Sequence, residues 1–273
     1  MLGCDSTSLI EHVSPGVVLK RPIVFIGQTE VDPRIANCFQ VEPRVLARLG
    51  HHPRIVRFLG LREDGILLSQ ASHGNLQSYL DGHPFTSLRQ RIAWCVQVAE
   101  AVDHIHGHGV VHSDLRPGSI LVHETAPGVL DLKLCDFGGS VCEELGLDGL
   151  ALPDGPFYHP AFGDQSGPML DIFGMGSAFY VILTGRWPYK STQGTFEKVD
   201  ERIEWEEREV YPKFREEKFP DVEGLLVGDV IVKCWMRQFA SARDVLDALG
   251  KVLGGSFERD GIQMYSSTVC NGL

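Results

Sequence analysis

The strongest indication of how this chain folds is the run Val110-Val111-His112-Ser113-Asp114-Leu115-Arg116-Pro117-Gly118-Ser119-Ile120-Leu121-Val122. It follows the segment Leu88 to His106, whose amphipathic pattern predicts a long helix, and it ends in three apolar residues typical of a short strand. The loop between the predicted helix and strand contains His112 and Asp114. On its own, this His-x-Asp pattern is equally compatible with a solvent-facing aspartate in an ordinary turn.

Two further motifs follow this loop. Leu134-Cys135-Asp136-Phe137-Gly138 comes directly after a second predicted strand. Asp171-Ile172-Phe173, together with Gly176, begins a helical stretch that ends in Leu183-Thr184-Gly185-Arg186-Trp187-Pro188-Tyr189. In this order the three motifs resemble the catalytic loop, the Asp-Phe-Gly motif and the central large-lobe helix of eukaryotic-type protein kinases. The chain is therefore identified as a divergent, Ser/Thr kinase-like member of that family.

The distribution of strand-like and helix-like segments predicts an α+β fold. The first third of the chain holds the strand-like runs Val17-Val18-Leu19, Ile23-Val24-Phe25-Ile26, Ile55-Val56-Arg57-Phe58-Leu59 and Ile66-Leu67-Leu68. The later strands are expected at Ile120–Val122 and Leu132–Leu134, and the helices at Arg34–Leu49, Leu88–His106, Asp171–Leu183 and Leu225–Met236. The resemblance implies a bilobal protein-kinase fold with a small β-rich N-lobe at about 1–70, whose first strand is truncated, and a larger helical C-lobe at about 74–253. Residues 254–273 are expected to form a frayed polar tail.

The resemblance implies roles for the residues of the three motifs. Asp114 stands where the family has its catalytic base, which orients a substrate hydroxyl and accepts its proton, and Arg116 replaces the lysine beside the γ-phosphate. Asp136 is expected to hold Mg²⁺, and Ser119 replaces the asparagine that holds a second Mg²⁺. The residues expected to support this site are His112, Phe137, Gly138 and Asp171, the last by hydrogen bonds that anchor the catalytic loop.

The resemblance also implies an ATP site in the N-lobe. Lys20, at the end of Val17-Val18-Leu19-Lys20, is expected to reach the α- and β-phosphates of ATP, with Glu42 of the predicted helix as its ion-pair partner. A strand lysine and a helix glutamate are ordinary surface residues in most proteins. The assignment of these two residues therefore depends on their spacing to the clearer motifs.

The loop that would close over the phosphates departs from the family pattern. Its best match is Gly3-Cys4-Asp5-Ser6-Thr7-Ser8-Leu9-Ile10, which keeps Gly3 as one glycine of three and adds a negative charge at Asp5. The hinge that binds adenine through its backbone is expected at Gln70 and Ala71, near Gly74-Asn75-Leu76. Either of two residues could be the gatekeeper, Leu68 or Ser69.

The end of the activation segment, the loop Gly139 to Phe157 with the residues that close it, also departs from the family. The family's Ala-Pro-Glu closing motif appears as Phe157-Tyr158-His159-Pro160-Ala161, which keeps the proline and lacks the glutamate. The arginine that usually pairs with this glutamate is not clearly in register, although Arg243 is close. The loss of both partners would avoid a buried unpaired charge.

The composition limits the partners and the compartment. A net charge of −11 argues against general nucleic-acid binding, which needs clustered lysine and arginine. The apolar stretch Met169–Gly185 is shorter than the roughly 20 residues of a membrane span and is expected to be a core helix, so no membrane partner is expected. Seven scattered cysteines indicate free thiols in a reducing compartment, the cytoplasm or alternatively the nucleus.

The leading hypothesis for function is ATP- and Mg²⁺-dependent phosphoryl transfer to protein Ser or Thr hydroxyls at a reduced rate, with an unidentified protein as substrate. Arg116-Pro117 is nearer to the Ser/Thr form of the family's loop than to the tyrosine-kinase forms. The alternative is a pseudokinase that binds nucleotide or a protein partner, favoured by Ser119 and the altered glycine loop. A third possibility is an atypical kinase or ATPase of a tRNA-modification complex, against which the helices after Asp171 argue.

Overall fold

The computed structural model describes residues 3–4, 7–25, 27, 29–153, 155–163 and 165–260. These residues form a small lobe built on a β-sheet and a larger lobe built mainly from helices, which is the predicted α+β arrangement. The strands are β1 (Gly3–Cys4), β2 (Ser8–Ser14), β3 (Val17–Pro22), β4 (Phe58–Arg62), β5 (Gly65–Ser69), β6 (Ile120–Ala126), β7 (Val129–Leu134), β8 (Val141–Cys142) and β9 (Leu147–Asp148). The α-helices are α1 (Pro33–Leu49), α2 (Leu76–Gly82), α3 (Leu88–Gly107), α4 (Pro168–Thr184), α5 (Val199–Trp205), α6 (Tyr211–Arg215), α7 (Gly228–Trp235) and α8 (Ala242–Asp260).

The sheet of the small lobe is antiparallel, with the strand order β1-β2-β3-β5-β4. Its first strand has only two residues and pairs Gly3 with Ile10, so the expected short first strand is present. Lys20 pairs with Ile66, and Val18 pairs with Leu68. Because directly paired residues share a face of a sheet, Lys20 and Leu68 lie on the same face, against which α1 packs.

Helix α1 brings Glu42 to this face of the sheet. The helix begins at Pro33, where the Asp32 side chain accepts a hydrogen bond from the Arg34 N–H at 2.8 Å, and it ends before Gly50, whose φ of +64° favours glycine. One side of α1 is buried against the sheet through Ile35, Val41, Glu42, Pro43, Val45, Leu46 and Leu49. Glu42 is therefore a charged residue on an otherwise apolar face.

The large lobe is organised around α4, which is buried along almost its whole length and packs against α3 and α7. The close approach of α4 to α7 requires a glycine, because a Cβ at Gly176 would lie 2.7 Å from the Cβ of Cys234. The apolar stretch at this position is thus a core helix, as expected. Among the helices of the described ranges, none has the length and the apolar character needed to cross a bilayer.

Three segment predictions differ from the structure. Ile23 to Phe25 form no strand, and Val24 and Phe25 are about half exposed, because β3 ends at Pro22; Ile26 lies outside the described residues. In the run Ile55–Leu59 the strand begins only at Phe58, while Ile55 pairs instead with Leu134 of the large lobe. The predicted tail boundary at residue 254 falls inside α8, and residues 261–273 lie outside the described part of the chain.

Candidate active site

Asp171, near the start of α4, shapes the loop that contains Asp114. Its buried carboxylate accepts hydrogen bonds from the His112 N–H at 2.7 Å and from the Ser113 N–H at 3.0 Å, while the Nε2 of His106 lies 2.9 Å away. Ser113 adopts a φ of +69°, a conformation that few residues other than glycine take up without support. The predicted role of Asp171 as an anchor of the loop agrees with these bonds.

His112 connects this loop to the Asp-Phe-Gly motif. Its Nδ1 accepts a hydrogen bond from the Asp114 N–H at 3.3 Å, so its Nε2 carries the proton and donates to the Cys135 carbonyl at 2.9 Å. The ring of Phe137, which is fully buried, meets the His112 ring edge-on at 5.0 Å between centroids. His112 and Phe137 therefore support the site, as the resemblance implied.

Lys20 lies between two carboxylates that come from distant parts of the chain. Its Nζ is 2.7 Å from Glu42 Oε2 and 2.6 Å from Asp136 Oδ1, so the predicted Lys20–Glu42 ion pair is formed. Lys20 and Glu42 are almost fully buried, whereas 35% of the Asp136 side chain is exposed. Asp136 itself takes a left-handed backbone conformation with a φ of +65°. The cluster thus has a buried side at Glu42 and an accessible side at Asp136.

The protonation of this cluster follows from burial and charge. Burial opposes the charge of Lys20, but the two carboxylates outweigh it and hold the pKa of Lys20 well above its usual value. Lys20 lowers the pKa of Asp136, and burial raises the pKa of Glu42, an effect that the ion pair with Lys20 offsets in part. At neutral pH the cluster therefore presents a cation beside an ionised carboxylate.

Arg116 is paired with Asp114 on the catalytic loop. The Nε of Arg116 lies 3.2 Å from the Asp114 carboxylate, and the two side chains are 37% and 20% exposed. The guanidinium therefore stays beside the expected base, where it keeps the positive charge of the lysine that it replaces.

The hydroxyl of Ser119, the predicted second metal ligand, contacts the backbone of its own loop. The residue is 1% exposed, and its Oγ lies 2.9 Å from the Asp114 carbonyl and 2.8 Å from the Arg116 carbonyl. The same Oγ accepts a hydrogen bond from the Arg116 N–H at 3.1 Å. The hydroxyl is thus used inside the loop, whose shape it helps to fix. Ser119 is not among the residues that line the cavity beside Lys20.

A cavity of about 240 Å³ joins Lys20, Asp114, Arg116 and Asp136. Its other lining residues are Thr7, Cys38, Phe39, Gly138, Gly139, Ala151 and Leu152. Glycine is required at Gly138, since a Cβ there would lie 2.9 Å from the Cβ of Cys38. The structure therefore brings the predicted catalytic, phosphate-binding and Mg²⁺-binding residues to one space, with Ser119 as the exception.

Sequence reasoning missed several residues of this cavity. Cys38 precedes Glu42 by one helical turn on α1, and this spacing of four residues was the one signal that could have identified it. Ala151 and Leu152 belong to the activation segment, and only the fold brings them close to Lys20.

The predicted hinge follows β5. The Gln70 N–H donates to the Gly16 carbonyl at 2.8 Å, whereas the Ala71 N–H makes no hydrogen bond within the described ranges. Ala71 therefore has the free donor that a hinge needs. Of the two candidate gatekeepers, Leu68 shares the sheet face of Lys20, which Ser69 does not. Gly3 belongs to β1, and the predicted phosphate loop includes Asp5 and Ser6, which lie outside the described residues.

The residues around the altered closing motif have polar partners of their own. His159 is buried, its Nε2 lies 3.1 Å from the Phe214 carbonyl, and its Nδ1 accepts from the Ala161 N–H at 3.0 Å. Arg243 forms an ion pair with Asp103 of α3 at the protein surface. These contacts leave neither residue as an unpaired buried charge.

Comparisons with known proteins identify the family of the chain. A family model for the protein kinase domain matches residues 25–234. Relatives include a probable serine/threonine-protein kinase MARK-A of Dictyostelium discoideum, 26% identical over 62% of this chain and 16% of its own length. Ribosomal protein S6 kinase 2 alpha of Xenopus laevis is 27% identical over 74% of this chain and 28% of its own length. The chain thus spans less than a third of the length of either relative.

The fold has a counterpart among solved structures. A crystal structure of the Rad53 kinase domain and SCD2 matches with a TM-score of 0.60 at 20% identity, covering 89% of this chain and 88% of that one. The likeness confirms the bilobal architecture. Since the kinase-domain model also matches more than half of the chain, this protein belongs to the protein kinase family.

Proposed function

We propose that this protein transfers the γ-phosphoryl group of ATP to Ser or Thr hydroxyls of a protein substrate. The observation that carries the proposal is the position of Lys20, whose Nζ lies 2.7 Å from Glu42 and 2.6 Å from Asp136 at a cavity that Asp114 also lines. A buried cation next to an accessible carboxylate suits a polyphosphate and a hard metal ion better than an apolar ligand.

Four charged residues at or next to the cavity have roles in this reaction. Lys20 would bind the α- and β-phosphates, and Glu42 holds its ammonium group in place. Asp114 would orient the acceptor hydroxyl and take its proton, while Arg116 would stabilise negative charge near the γ-phosphate. Because Arg116 already contacts the Asp114 carboxylate, it places a positive charge directly beside the expected base.

The residues present fit one magnesium ion. The Asp136 carboxylate is partly exposed at the cavity and offers the oxygen ligands that Mg²⁺ prefers. When bound, the ion neutralises charge on the phosphate oxygens. A second ion has no ligand at Ser119, whose hydroxyl bonds the loop backbone. This difference supports a reduced rate of transfer.

The preference for Ser and Thr is supported by the names of the relatives, which are serine/threonine and ribosomal protein S6 kinases. The alternative function, a pseudokinase that binds nucleotide or a protein partner, is favoured by Ser119 and by the single glycine of the phosphate loop.

An assay with radiolabelled ATP and a mixture of acceptor proteins distinguishes the kinase from the pseudokinase. We expect label on Ser and Thr with wild type and with the surface control Asp229→Ala, and none with Asp114→Ala. If wild type and Asp114→Ala both gave no more label than a sample without the protein, the phosphoryl-transfer proposal would fail and the pseudokinase alternative would stand.

A further inference from the structure

Three side chains of α1 contact the activation segment and the end of α3. We propose that Asn37, Arg44 and Arg48, here called the α1 clamp, hold α1 in the position that pairs Glu42 with Lys20, and that they do so without a phosphate group. The clamp is a set of positioning residues. Its consequence for catalysis rests on the proposed function, whereas its effect on α1 does not.

Two of the contacts reach backbone carbonyls of the activation segment. The Nδ2 of Asn37 donates to the Asp148 carbonyl at 2.8 Å, and the Nη2 of Arg44 donates to the Leu145 carbonyl at 3.2 Å. A backbone carbonyl is present in every state of the protein. These bonds therefore need no modification to form.

Arg48 joins three elements at the end of α1. Its Nε donates to the His108 carbonyl at 3.0 Å, where α3 ends, and its Nη2 forms an ion pair with Glu144 of the activation segment. The Glu144 carboxylate supplies the negative charge that a phosphate supplies in kinases switched by phosphorylation. Glu144 is thus a permanent acidic partner for Arg48.

The clamp and Glu42 lie on different sides of α1. Asn37, Arg44 and Arg48 are seven and four residues apart, so they form one stripe along the helix, and Glu42 lies roughly 140° around the axis from it. Contacts on both sides fix the rotation and the tilt of the helix together. If the stripe were released, α1 could swing about its buried face and carry Glu42 away from Lys20.

Backbone pairing and close packing tie the described part of the activation segment to the catalytic loop and the Asp-Phe-Gly motif. Its strands β8 and β9 pair with each other, and Val141 forms a bridge to Val111 of the catalytic loop. Gly149 lies so close to the Asp-Phe-Gly motif that a Cβ there would be 2.2 Å from the Gly138 carbonyl oxygen. The family's phosphate-binding arginine is absent, because Ser113 stands in its place, is buried and shares a hydrogen bond with Ser166. The segment is therefore held by its own bonds.

Hydrogen exchange of the nucleotide-free protein tests the clamp directly. The double variant Arg44→Ala/Arg48→Ala should increase amide exchange in α1 about tenfold. Each of the two partly exposed contacts stabilises α1 only slightly, but the loss of both should favour local opening of the helix by about this factor. Glu144→Ala, at a side chain that is 65% exposed and cannot unfold the protein, should give a smaller increase of the same kind. Arg34→Ala, on the same helix with a side chain that is 87% exposed, is the control and should leave exchange unchanged.

A second measurement asks whether the clamp positions Glu42. ATP affinity should fall about tenfold in the double variant, and combining it with Glu42→Gln should cause no further fall, because both changes act through the same pair. The proposal is overturned if α1 exchange stays at the wild-type level in both clamp variants, or if exchange rises while ATP affinity is unchanged. If wild type binds no ATP, the proposed function fails, and the exchange experiment alone decides whether the clamp exists.

Discussion

The Nζ of Lys20 lies 2.6 Å from Oδ1 of Asp136, although the two residues are 116 positions apart in the sequence. This contact crosses from the sheet of the small lobe to the loop after β7, so it joins the lobes at the cavity. A cation and a carboxylate this close neutralise each other until a ligand separates them. The Lys20–Asp136 ion pair is therefore expected to break when a phosphate binds Lys20 and a cation binds Asp136.

The first prediction concerns this exchange of partners. ATP with Mg²⁺ should stabilise wild type by about 2.7 kcal/mol when free ATP is a hundred times its dissociation constant. Lys20→Met and Asp136→Asn should lose most of this gain in thermal melts, and Lys251→Met, at an exposed site, should keep it. Identical melting temperatures of wild type with and without saturating ATP would remove nucleotide binding from the proposal.

The second prediction is that activity does not depend on phosphorylation of the activation segment. Ser140 is the single hydroxyl residue between Gly139 and Phe157, and it is fully buried with its Oγ 3.2 Å from the His112 carbonyl. A modifying enzyme cannot reach it in the folded protein. Phosphatase treatment should leave the rate unchanged.

A charge at Ser140 should instead damage the fold. Ser140→Asp places an unpaired carboxylate in a buried site, which should cost roughly 3 kcal/mol and lower the melting temperature by several degrees. A rate that drops after phosphatase treatment and recovers in Ser140→Asp would show that the segment is a phosphorylation switch after all.

The third prediction concerns stability in mild acid. The ring of His52 stacks on His104 at 4.1 Å between centroids, and its Nδ1 accepts a hydrogen bond from the Arg54 N–H. Burial and the neighbouring His104 lower the pKa of His52 to about 4. The unfolded chain takes up this proton near pH 6.5 and the folded protein does so only near pH 4, so stability should fall as the pH drops through that window.

Urea unfolding at pH 7 and pH 5 measures this effect. His52→Gln should lose less stability between the two values than wild type does, and His12→Gln, at an exposed site on β2, should behave as wild type. A loss of the same size in His52→Gln would show that other groups cause the acid sensitivity.

The residues that sequence could predict are those fixed by a motif. Asp114, Asp136 and Asp171 sit in motifs that resemble those of the family, and the structure brings Asp114 and Asp136 to one cavity and Asp171 to the loop that contains Asp114. The partner of Lys20 could be predicted for the same reason, since the family pattern names a helix glutamate.

The residues that sequence could not predict depend on contacts between distant segments. The exposed Val24 and Phe25 look like a strand because their local pattern is apolar, yet no strand in the described part of the chain pairs with them. The bonds of Arg44 and Arg48 join residues that are about a hundred positions apart. No local pattern contains that information.

Sequence alone could not predict how the Ser119 hydroxyl is used. The motif aligns Ser119 with a metal-binding asparagine, and the structure shows that its Oγ makes three contacts to the Asp114 and Arg116 backbone. Replacing it by alanine should therefore weaken the loop by about 1 kcal/mol, a loss that melting of the nucleotide-free protein measures.

The last prediction is that Ser119 limits the rate of phosphoryl transfer. An asparagine at this position carries an amide N–H₂ for the Asp114 carbonyl and a separate oxygen for a cation, so Ser119→Asn should keep the loop bond and add a metal ligand. Losing one group that stabilises developing charge costs about 10²–10³ in rate in other enzymes, and Ser119→Asn should recover part of a loss of that size. High Mg²⁺ should help wild type more than the variant, because the wild-type second ion lacks a protein ligand at Ser119. Asp114→Ala must abolish transfer in both backgrounds. If Ser119→Asn changes neither the rate nor its Mg²⁺ dependence, the low rate arises elsewhere, and the single-glycine phosphate loop becomes the next candidate.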